Sequence, residues 1–269
     1  SLLSKEKNIY WSSSPSIGWG RKESLTQGDS HYWGVWWGME PLETYTEKVG
    51  RFMSEYGFQG MPDLKTFETF AKTSELNLSS ESVKAHQKHP TGYKTINDYM
   101  ARDYQVPTNF EDYIYVSQVL QAEGMKIAIE AHRTDPKCMG TLFWQLNDCW
   151  PVASWSITDY YNRQPKAAWY AVKEAYRDDV KPAIDLTRPI NLKLENPQIT
   201  FKLNGNKIVL KTYKDAKYIW IDIKGYTGRL SDNYFDLKAG EQKTITIESP
   251  ILKPNIEITS LYDILKRNK

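Results

Sequence analysis

The hydrophobic period of the chain changes near residue 183, and this change constrains the fold more than any single motif. Upstream, strand-like apolar segments alternate with segments whose apolar residues recur at helical spacing, which is typical of βα units. Downstream, short segments alternate apolar and polar residues, and Asn204-Gly205-Asn206 predicts a tight hairpin turn between two of them. We therefore predict an α/β domain over 1–182 and a small antiparallel all-β domain over 183–269, which begins with a linker at 185–197.

Two helices of the first domain have clear boundary signals. The capping-box pattern Thr108-x-x-Glu111 predicts the start of a long helix that ends before Pro136. A second helix is predicted over 165–176, with Tyr176 among the residues on its buried face. Helices of this kind pack against the strands that precede them.

The strand segments of the first domain are shorter. Residues 140–146 are nearly all apolar, which indicates a strand buried on both faces of a parallel sheet. Another strand is predicted over 8–12. The polar segment 73–105 contains turn signals and one short helical stretch over 93–104, so we interpret it as an insertion with a surface or functional role.

One acid, Glu55, stands near the end of a short apolar strand pattern. The aromatic residues Phe52 and Tyr56 flank it, and Gly57 permits a sharp turn directly afterwards. A carboxylate at the carboxyl end of a strand is well placed for nucleophilic or acid/base chemistry. The alternative is a structural glutamate that pairs with Arg51 or caps the next helix.

Two tryptophan-rich segments favour the chemical interpretation. Flat indole faces beside carboxylates and amides suit a sugar, because pyranose C–H faces stack on rings while hydroxyls require paired hydrogen bonds. The segments are Tyr-Trp-Gly-Val-Trp-Trp-Gly (32–38) and Phe-Trp-Gln-Leu-Asn-Asp-Cys-Trp-Pro (143–151). We expect Glu55 to be buried beside Trp144 at the carboxyl ends of neighbouring parallel strands.

Composition excludes several classes of function. The 35 Lys+Arg against 33 Asp+Glu, a net charge of +2, argue against a dedicated polyanion binder, so no nucleic-acid partner is expected. No apolar run approaches the roughly 18 residues that span a bilayer, so no membrane partner is expected either.

The cysteines and histidines do not suggest a metal site or a disulfide. Cys138 and Cys149 lie at the two ends of an extended segment, so we expect free and mostly buried thiols. His86 and His89 have a spacing that some metal ligands use, but no acidic or cysteine companions lie nearby in the sequence. A solvated loop is the preferred interpretation of this pair.

Several motifs together resemble one enzyme family. They are Trp-Ser-Ser-Ser-Pro-Ser (11–16), Gly-Asp-Ser-His-Tyr-Trp (28–33), Arg-Phe-Met-Ser-Glu-Tyr-Gly-Phe-Gln (51–59), the 143–151 segment and Ser-Asp-Asn-Tyr-Phe-Asp-Leu (231–237). In this order they resemble the β-mannosidases of glycoside hydrolase family 2, and the similarity runs nearly from end to end of the chain.

The resemblance implies a function and specific roles. It implies a retaining exo-β-mannosidase that acts on β-mannoside oligosaccharides without a cofactor or metal. Glu55 would be the nucleophile, Trp144 an aromatic wall of the subsite for the reacting sugar, and Trp33 and Trp37 further rings around that sugar. The fold implied is the C-terminal part of a (β/α)₈ TIM barrel followed by an immunoglobulin-like β-sandwich.

The sequence departs from the family in the extent of the barrel. A complete barrel needs about 250 residues, and the βα portion here has about 180 with roughly three barrel strands, by analogy strands six to eight. The family's acid/base glutamate follows an asparagine, and the chain contains no Asn-Glu pair. We therefore expect a C-terminal fragment that depends on an N-terminal part of the enzyme, or that self-associates as a homo-oligomer.

Two alternatives remain open at this stage. One is a β-galactosidase or β-glucuronidase of the same family, which would differ in its contacts to the sugar 2-hydroxyl. The other is a carbohydrate-binding or structural fragment whose tryptophans stack on sugar without turnover.

Overall fold

The computed structural model describes residues 11–249 and 251–268 of the chain. Of the strand predicted over 8–12, Trp11 and Ser12 are irregular, and 8–10 lie outside the described residues. The helices are α1 Leu64–Phe67, α2 Glu81–Ala85, α3 Gly92–Asp103, α4 Phe110–Thr134, α5 Ala167–Ala175 and α6 Leu261–Arg267. The strands are β1 Ser30–His31, β2 Met53–Glu55, β3 Thr200–Asn204, β4 Lys207–Lys211, β5 Ala216–Ile223, β6 Phe235–Leu237, β7 Gln242–Thr246 and β8 Ile256–Thr259.

Among the described residues, three parallel segments pair side by side in the mixed α/β region. Strands β1 and β2 pair in parallel, with His31 opposite Glu55. On the other side of β2, Met53 N donates to Gly140 O at 2.9 Å and Leu142 N donates to Met53 O at 2.7 Å. The segment 139–144 is therefore the third parallel neighbour, and β2 lies in the middle.

The prediction that 140–146 is buried on both faces was wrong. Leu142, Trp144 and Leu146 are exposed, and the residues between them are only partly buried. One side is covered, since His132 of α4 contacts the Thr141 hydroxyl at 2.8 Å. Apolar composition alone does not distinguish a strand covered on two faces from one covered on a single face, and helices cover only one face here.

The two long helices form as predicted, with differences at their ends. Asn109, and not Thr108, is the N-cap residue of α4, because its side chain accepts a hydrogen bond from Asp112 N at 3.1 Å. Helix α5 packs against α4. Tyr176, which was expected to point inward, lies just after α5 and is partly exposed, although its hydroxyl donates to Thr141 O at 2.8 Å.

The second domain is a β-sandwich. One sheet has the order β3-β4-β7 and the other β6-β5-β8, and all pairings are antiparallel. Isoleucines of both sheets, including Ile208, Ile221 and Ile245, form its own buried core. The predicted hairpin turn is confirmed between β3 and β4, where Gly205 has φ +61°.

Aromatic side chains join the sandwich to the α/β region. Tyr115 of α4 packs against Trp220 and Tyr234, with ring centroids 6.0 and 5.8 Å away. The Tyr115 hydroxyl donates to Tyr218 O at 2.5 Å. The interface therefore combines apolar area with a satisfied polar group.

Glu123 of α4 lies in the same interface. The hydroxyl of Tyr104 donates to one of its carboxylate oxygens, and the hydroxyl of Tyr218 in the sandwich donates to the other. Burial raises the pKa of Glu123 to about 7, and the two hydrogen bonds offset only part of that rise. The Glu123 carboxyl group thus joins the two domains through hydrogen bonds, and its charge changes near neutral pH.

We expect the substitution Glu123→Gln to remove a pH-dependent loss of stability. The pKa of about 7 in the folded chain lies above the ordinary value of 4.5. The stabilising contribution is therefore fully present below about pH 4.5 and is lost as pH rises through about 7. Between about pH 5 and about pH 8 the free energy of unfolding of the wild type should fall by on the order of 2 kcal/mol more than that of the variant, as measured by urea unfolding.

Glu68→Gln is the matched control, because Glu68 is an exposed glutamate on the same domain. This variant should follow the wild-type pH dependence. A Glu123→Gln variant that also follows it would show that Glu123 is already ionised in the folded chain at pH 5, contrary to expectation.

Candidate active site

Glu55 lies at the carboxyl end of β2, with its carboxylate partly open to solvent. Its Oε1 accepts a hydrogen bond from Trp33 Nε1 at 2.8 Å and lies 3.6 Å from His31 Nδ1. The side chain is 24% exposed, so the expectation that Glu55 is buried was wrong. Among the described residues, no ion pair joins Arg51 to Glu55, contrary to the structural alternative.

The backbone explains why these residues meet. Tyr32 N donates to Glu55 O at 2.8 Å, so the parallel register places the residues on both sides of Tyr32 next to Glu55. A Cβ at position 57 would lie 2.1 Å from Trp144 O and 3.2 Å from the Trp33 ring. Only glycine allows these segments to approach so closely.

The three tryptophans predicted for the site, Trp33, Trp37 and Trp144, differ in their exposure and in their contacts. Trp33 and Trp37 meet edge to face, with ring centroids 6.4 Å apart, and Trp37 is 45% exposed. Trp144 is 44% exposed, and the structure joins it to the Glu55 strand through its main chain, since Trp144 N donates to Tyr56 O at 2.7 Å. Trp33 is the indole that contacts Glu55, and Trp37 reaches this point through Trp33.

Trp155 is an aromatic residue of the site that sequence reasoning did not identify. It is buried beneath Trp33, Trp36 and Trp37, at centroid distances of 6.2, 5.8 and 5.9 Å. Its position shortly after the 143–151 motif was the available signal. Trp155 therefore packs against the exposed Trp37 and the partly buried Trp33.

Residues of the segment 73–105 contact the tryptophan-rich loop. The hydroxyl of Tyr99 in α3 accepts a hydrogen bond from Trp36 N at 2.9 Å and donates to Glu40 O at 2.6 Å. Trp36 has φ +81°, a backbone conformation that residues other than glycine rarely adopt. The hydrogen bond from Trp36 N to Tyr99 helps to hold the loop in this conformation. His89 adds a ring contact to Trp37 at 4.4 Å.

Asp29 is a second residue that sequence reasoning missed. Its carboxylate accepts hydrogen bonds from Trp11 Nε1, Ser14 Oγ, Ser54 Oγ and Ser16 N, at 2.6 to 3.1 Å. Burial raises its pKa, but these hydrogen bonds outweigh burial and lower the pKa to about 2. An acid directly before the tryptophan-rich segment was the only sequence signal.

The prediction of free cysteines is confirmed, whereas the prediction that His86 lies in a solvated loop is wrong. Cys138 and Cys149 are both free, but Cys138 is only partly buried and Cys149 is exposed, since one face of the intervening segment is open. His86 is not a solvated loop residue, because it stacks on Phe70 at 3.5 Å and its Nδ1 contacts Pro151 O at 2.6 Å. In the described ranges no group of three or more His, Cys, Asp or Glu side chains could hold a metal ion.

No helix among the described residues is both long enough and apolar enough to cross a membrane.

Comparisons with known proteins identify relatives of both domains. The Ig_mannosidase family model, an Ig-fold domain, matches residues 194–264. β-Mannosidase B of Aspergillus flavus is 30% identical over 265 residues, which cover 94% of this chain and 29% of the relative. β-Mannosidase B of Emericella nidulans is 38% identical over 244 residues, which cover 87% of this chain and 26% of the relative.

A solved structure shows the same relationship. The β-D-mannosidase of Dictyoglomus thermophilum superimposes with a TM-score of 0.57 and 26% identity, over 90% of this chain and 30% of that protein. The chain thus spans less than a third of the length of the relatives that it matches.

We expect Trp144 and Trp155 to differ in their importance for stability. Trp144→Ala removes a ring that is 44% exposed, so it should change the free energy of unfolding by about 1 kcal/mol or less. Trp155→Ala empties a buried site and should cost about 3–5 kcal/mol. Urea unfolding of both variants measures the difference, and equal costs would show that the Trp144 ring is a core element and not an open platform.

Proposed function

Because the chain is homologous to the C-terminal part of β-mannosidases of glycoside hydrolase family 2, we propose that it supplies the nucleophile half of a retaining exo-β-mannosidase site. The observation that supports this most is the Glu55 carboxylate, which is accessible at the end of a parallel strand and held by the indole of Trp33 at 2.8 Å. The substrate is a β-mannoside with a terminal non-reducing mannose.

The contacts of Glu55 suggest how it acts. Both Trp33 and His31 lie against Oε1, which leaves Oε2 as the attacking atom. Oε2 forms a bond to the anomeric carbon while the bond from that carbon to the leaving oxygen breaks, and the leaving oxygen takes a proton from a second carboxylic acid. Water then attacks the anomeric carbon of the glycosyl ester and gives a proton to the second carboxylate, while the bond from that carbon to Oε2 breaks and Glu55 leaves as a carboxylate.

The indoles provide the sugar platform in this proposal. Trp37 and Trp144 are exposed, and Trp33 lies between Trp37 and the carboxylate. Stacking of pyranose C–H faces on these rings would fix the anomeric carbon near Oε2. Trp155 supports two of the three rings from below.

The three parallel segments are, in this proposal, the last strands of a (β/α)₈ barrel. The exposed apolar face of Leu142 and Leu146 is the surface that the other strands would cover. The acid/base glutamate comes from the same missing strands, which an N-terminal part of the enzyme would supply. A second copy of this chain is the other occupant that we expect to cover the face.

Binding without turnover is a second candidate function, and the exposed rings of Trp37 and Trp144 favour it. Isothermal titration of the chain with mannose separates the two. A free-standing binding module should bind measurably, whereas half of an active site should not.

We predict that the chain alone does not hydrolyse an aryl β-mannoside at an enzymatic rate. The loss of general acid catalysis alone removes about 10²–10⁴ in rate, and an incomplete subsite loses positioning as well. Adding the upstream part of a homologous β-mannosidase, produced separately, should restore hydrolysis. Release of the aryl group measures the rate before and after mixing.

Glu55→Gln should abolish the restored activity, while Glu23→Gln, at an exposed glutamate, should leave it unchanged. Turnover by the unmixed chain that Glu55→Gln abolishes would show that an acid within the chain completes the pair, and the half-site proposal would be wrong.

A further inference from the structure

A cavity of about 240 Å³ lies between the α/β region and the β-sandwich, and it shares no residue with the candidate active site. Its walls come from the start of α1, the start of α4, α5 with the loop before it, and β5 with the loop that follows it. A molecule in this cavity would therefore contact both domains. Its lining includes six aromatic side chains, which are Tyr115, Tyr161, Tyr170, Trp220, Tyr226 and Tyr234.

Asp63 lines the cavity and has one carboxylate oxygen without a partner. It occupies the N-cap position of α1, where an aspartate usually accepts a hydrogen bond from the helix backbone, but its side chain makes no such bond. Gln118 Nε2 instead donates to Asp63 Oδ1 at 2.8 Å. Within residues 11–249 and 251–268, no hydrogen bond or ion pair reaches Oδ2. This oxygen is therefore available to a ligand.

The charges in the lining favour a cation. Lys65 Nζ donates to Tyr226 O at 3.0 Å, so its hydrogens are already engaged with the sandwich. Lys224 Nζ pairs with Asp222 at 2.8 Å and with Glu257 at 3.1 Å. These two lysines are the basic residues of the lining, and they leave an excess of negative charge there. The acids of the lining are Asp63, Glu68, Glu111, Asp159 and Asp222.

Asp159 makes the charge of Asp63 costly. Asp159 is buried, and its two oxygens accept hydrogen bonds from the Thr66 hydroxyl at 2.7 Å and from Asp63 N at 2.6 Å. Burial, together with the charge of Asp159, raises the pKa of Asp63 to about 7, although Lys166 and Lys65 act in the opposite direction. The ionised form of Asp63 therefore carries a free-energy cost that a bound cation would reduce.

We propose that this cavity binds a small organic ammonium ion, with its positive charge at Asp63 Oδ2 and its alkyl groups against the aromatic rings. Ammonium ions are attracted to the faces of Trp and Tyr rings as well as to carboxylates, so a cavity with both features selects an organic cation over a neutral molecule of the same shape. The cavity is smaller than the range of about 300–1,000 Å³ for drug-sized ligands, so the ligand is small. The proposal does not depend on the function of Glu55.

Isothermal titration of the chain with choline chloride tests the proposal, at about pH 8.5 so that Asp63 is ionised. The control ligand is 3,3-dimethyl-1-butanol, which has carbon in place of the quaternary nitrogen and so keeps the shape of choline without its charge. We expect choline to bind at least about tenfold more tightly, because a cation–π contact and a carboxylate pair are together worth about that factor or more. Equal affinities, or no binding of choline, would overturn the proposal.

Variants locate the site. Asp63→Asn should weaken choline binding about tenfold or more, and it should fold because an asparagine oxygen can still accept the hydrogen bond from Gln118. Asp63→Ser should weaken binding likewise, and serine also suits the N-cap position of α1. Asp178→Asn is the matched control, because it removes the same charge at an exposed aspartate outside the cavity lining. It should bind choline as the wild type does.

Glu55→Gln distinguishes this cavity from the tryptophans of the candidate active site, which also combine rings with a carboxylate. This variant should keep wild-type affinity for choline. Thermal unfolding without choline reports whether each variant is folded. Wild-type affinity in the folded Asp63 variants, or loss of binding in Glu55→Gln, would overturn the proposal.

Discussion

The close approach of two parallel segments at Gly57 is the constraint on which the site depends. A Cβ at position 57 would lie 2.1 Å from Trp144 O and 3.2 Å from the Trp33 ring, which is too close to the carbonyl oxygen for any side chain. Because glycine leaves that space empty, β2 and the 139–144 segment can pair up to their carboxyl ends. Glu55, Trp33 and Trp144 therefore emerge at the same edge of the sheet.

Buried tyrosine hydroxyls hold the layers around this edge in place. Tyr99 bonds both Trp36 N and Glu40 O and so fixes the tryptophan-rich loop against α3. Tyr104 and Tyr218 share the carboxyl group of Glu123 and so join α4 to the sandwich. Each hydroxyl is satisfied inside the protein, which avoids the cost of a buried unpaired polar group and fixes a single arrangement.

Two observations concern the part of the sheet that carries the 139–146 segment: its apolar residues are exposed, and the relatives are much longer than this chain. Leu142, Trp144 and Leu146 are exposed although their composition suits a core. The relatives are more than three times as long as the part that matches this chain. The proposal that further strands cover this face is consistent with both observations.

The sequence by itself determined the two-domain organisation, the helices α4 and α5, the hairpin at Gly205 and the position of Glu55 at a strand end. Each of these depends on periodicity or on turn residues that act over a few positions. Only the tertiary structure decided that Trp33 donates a hydrogen bond to Glu55, that His31 lies beside Glu55, that Tyr99 and Trp155 support the aromatic loop, and that residues of 140–146 are exposed. These contacts join residues far apart in the chain, and they depend on which layers cover which face, a property that no local pattern encodes.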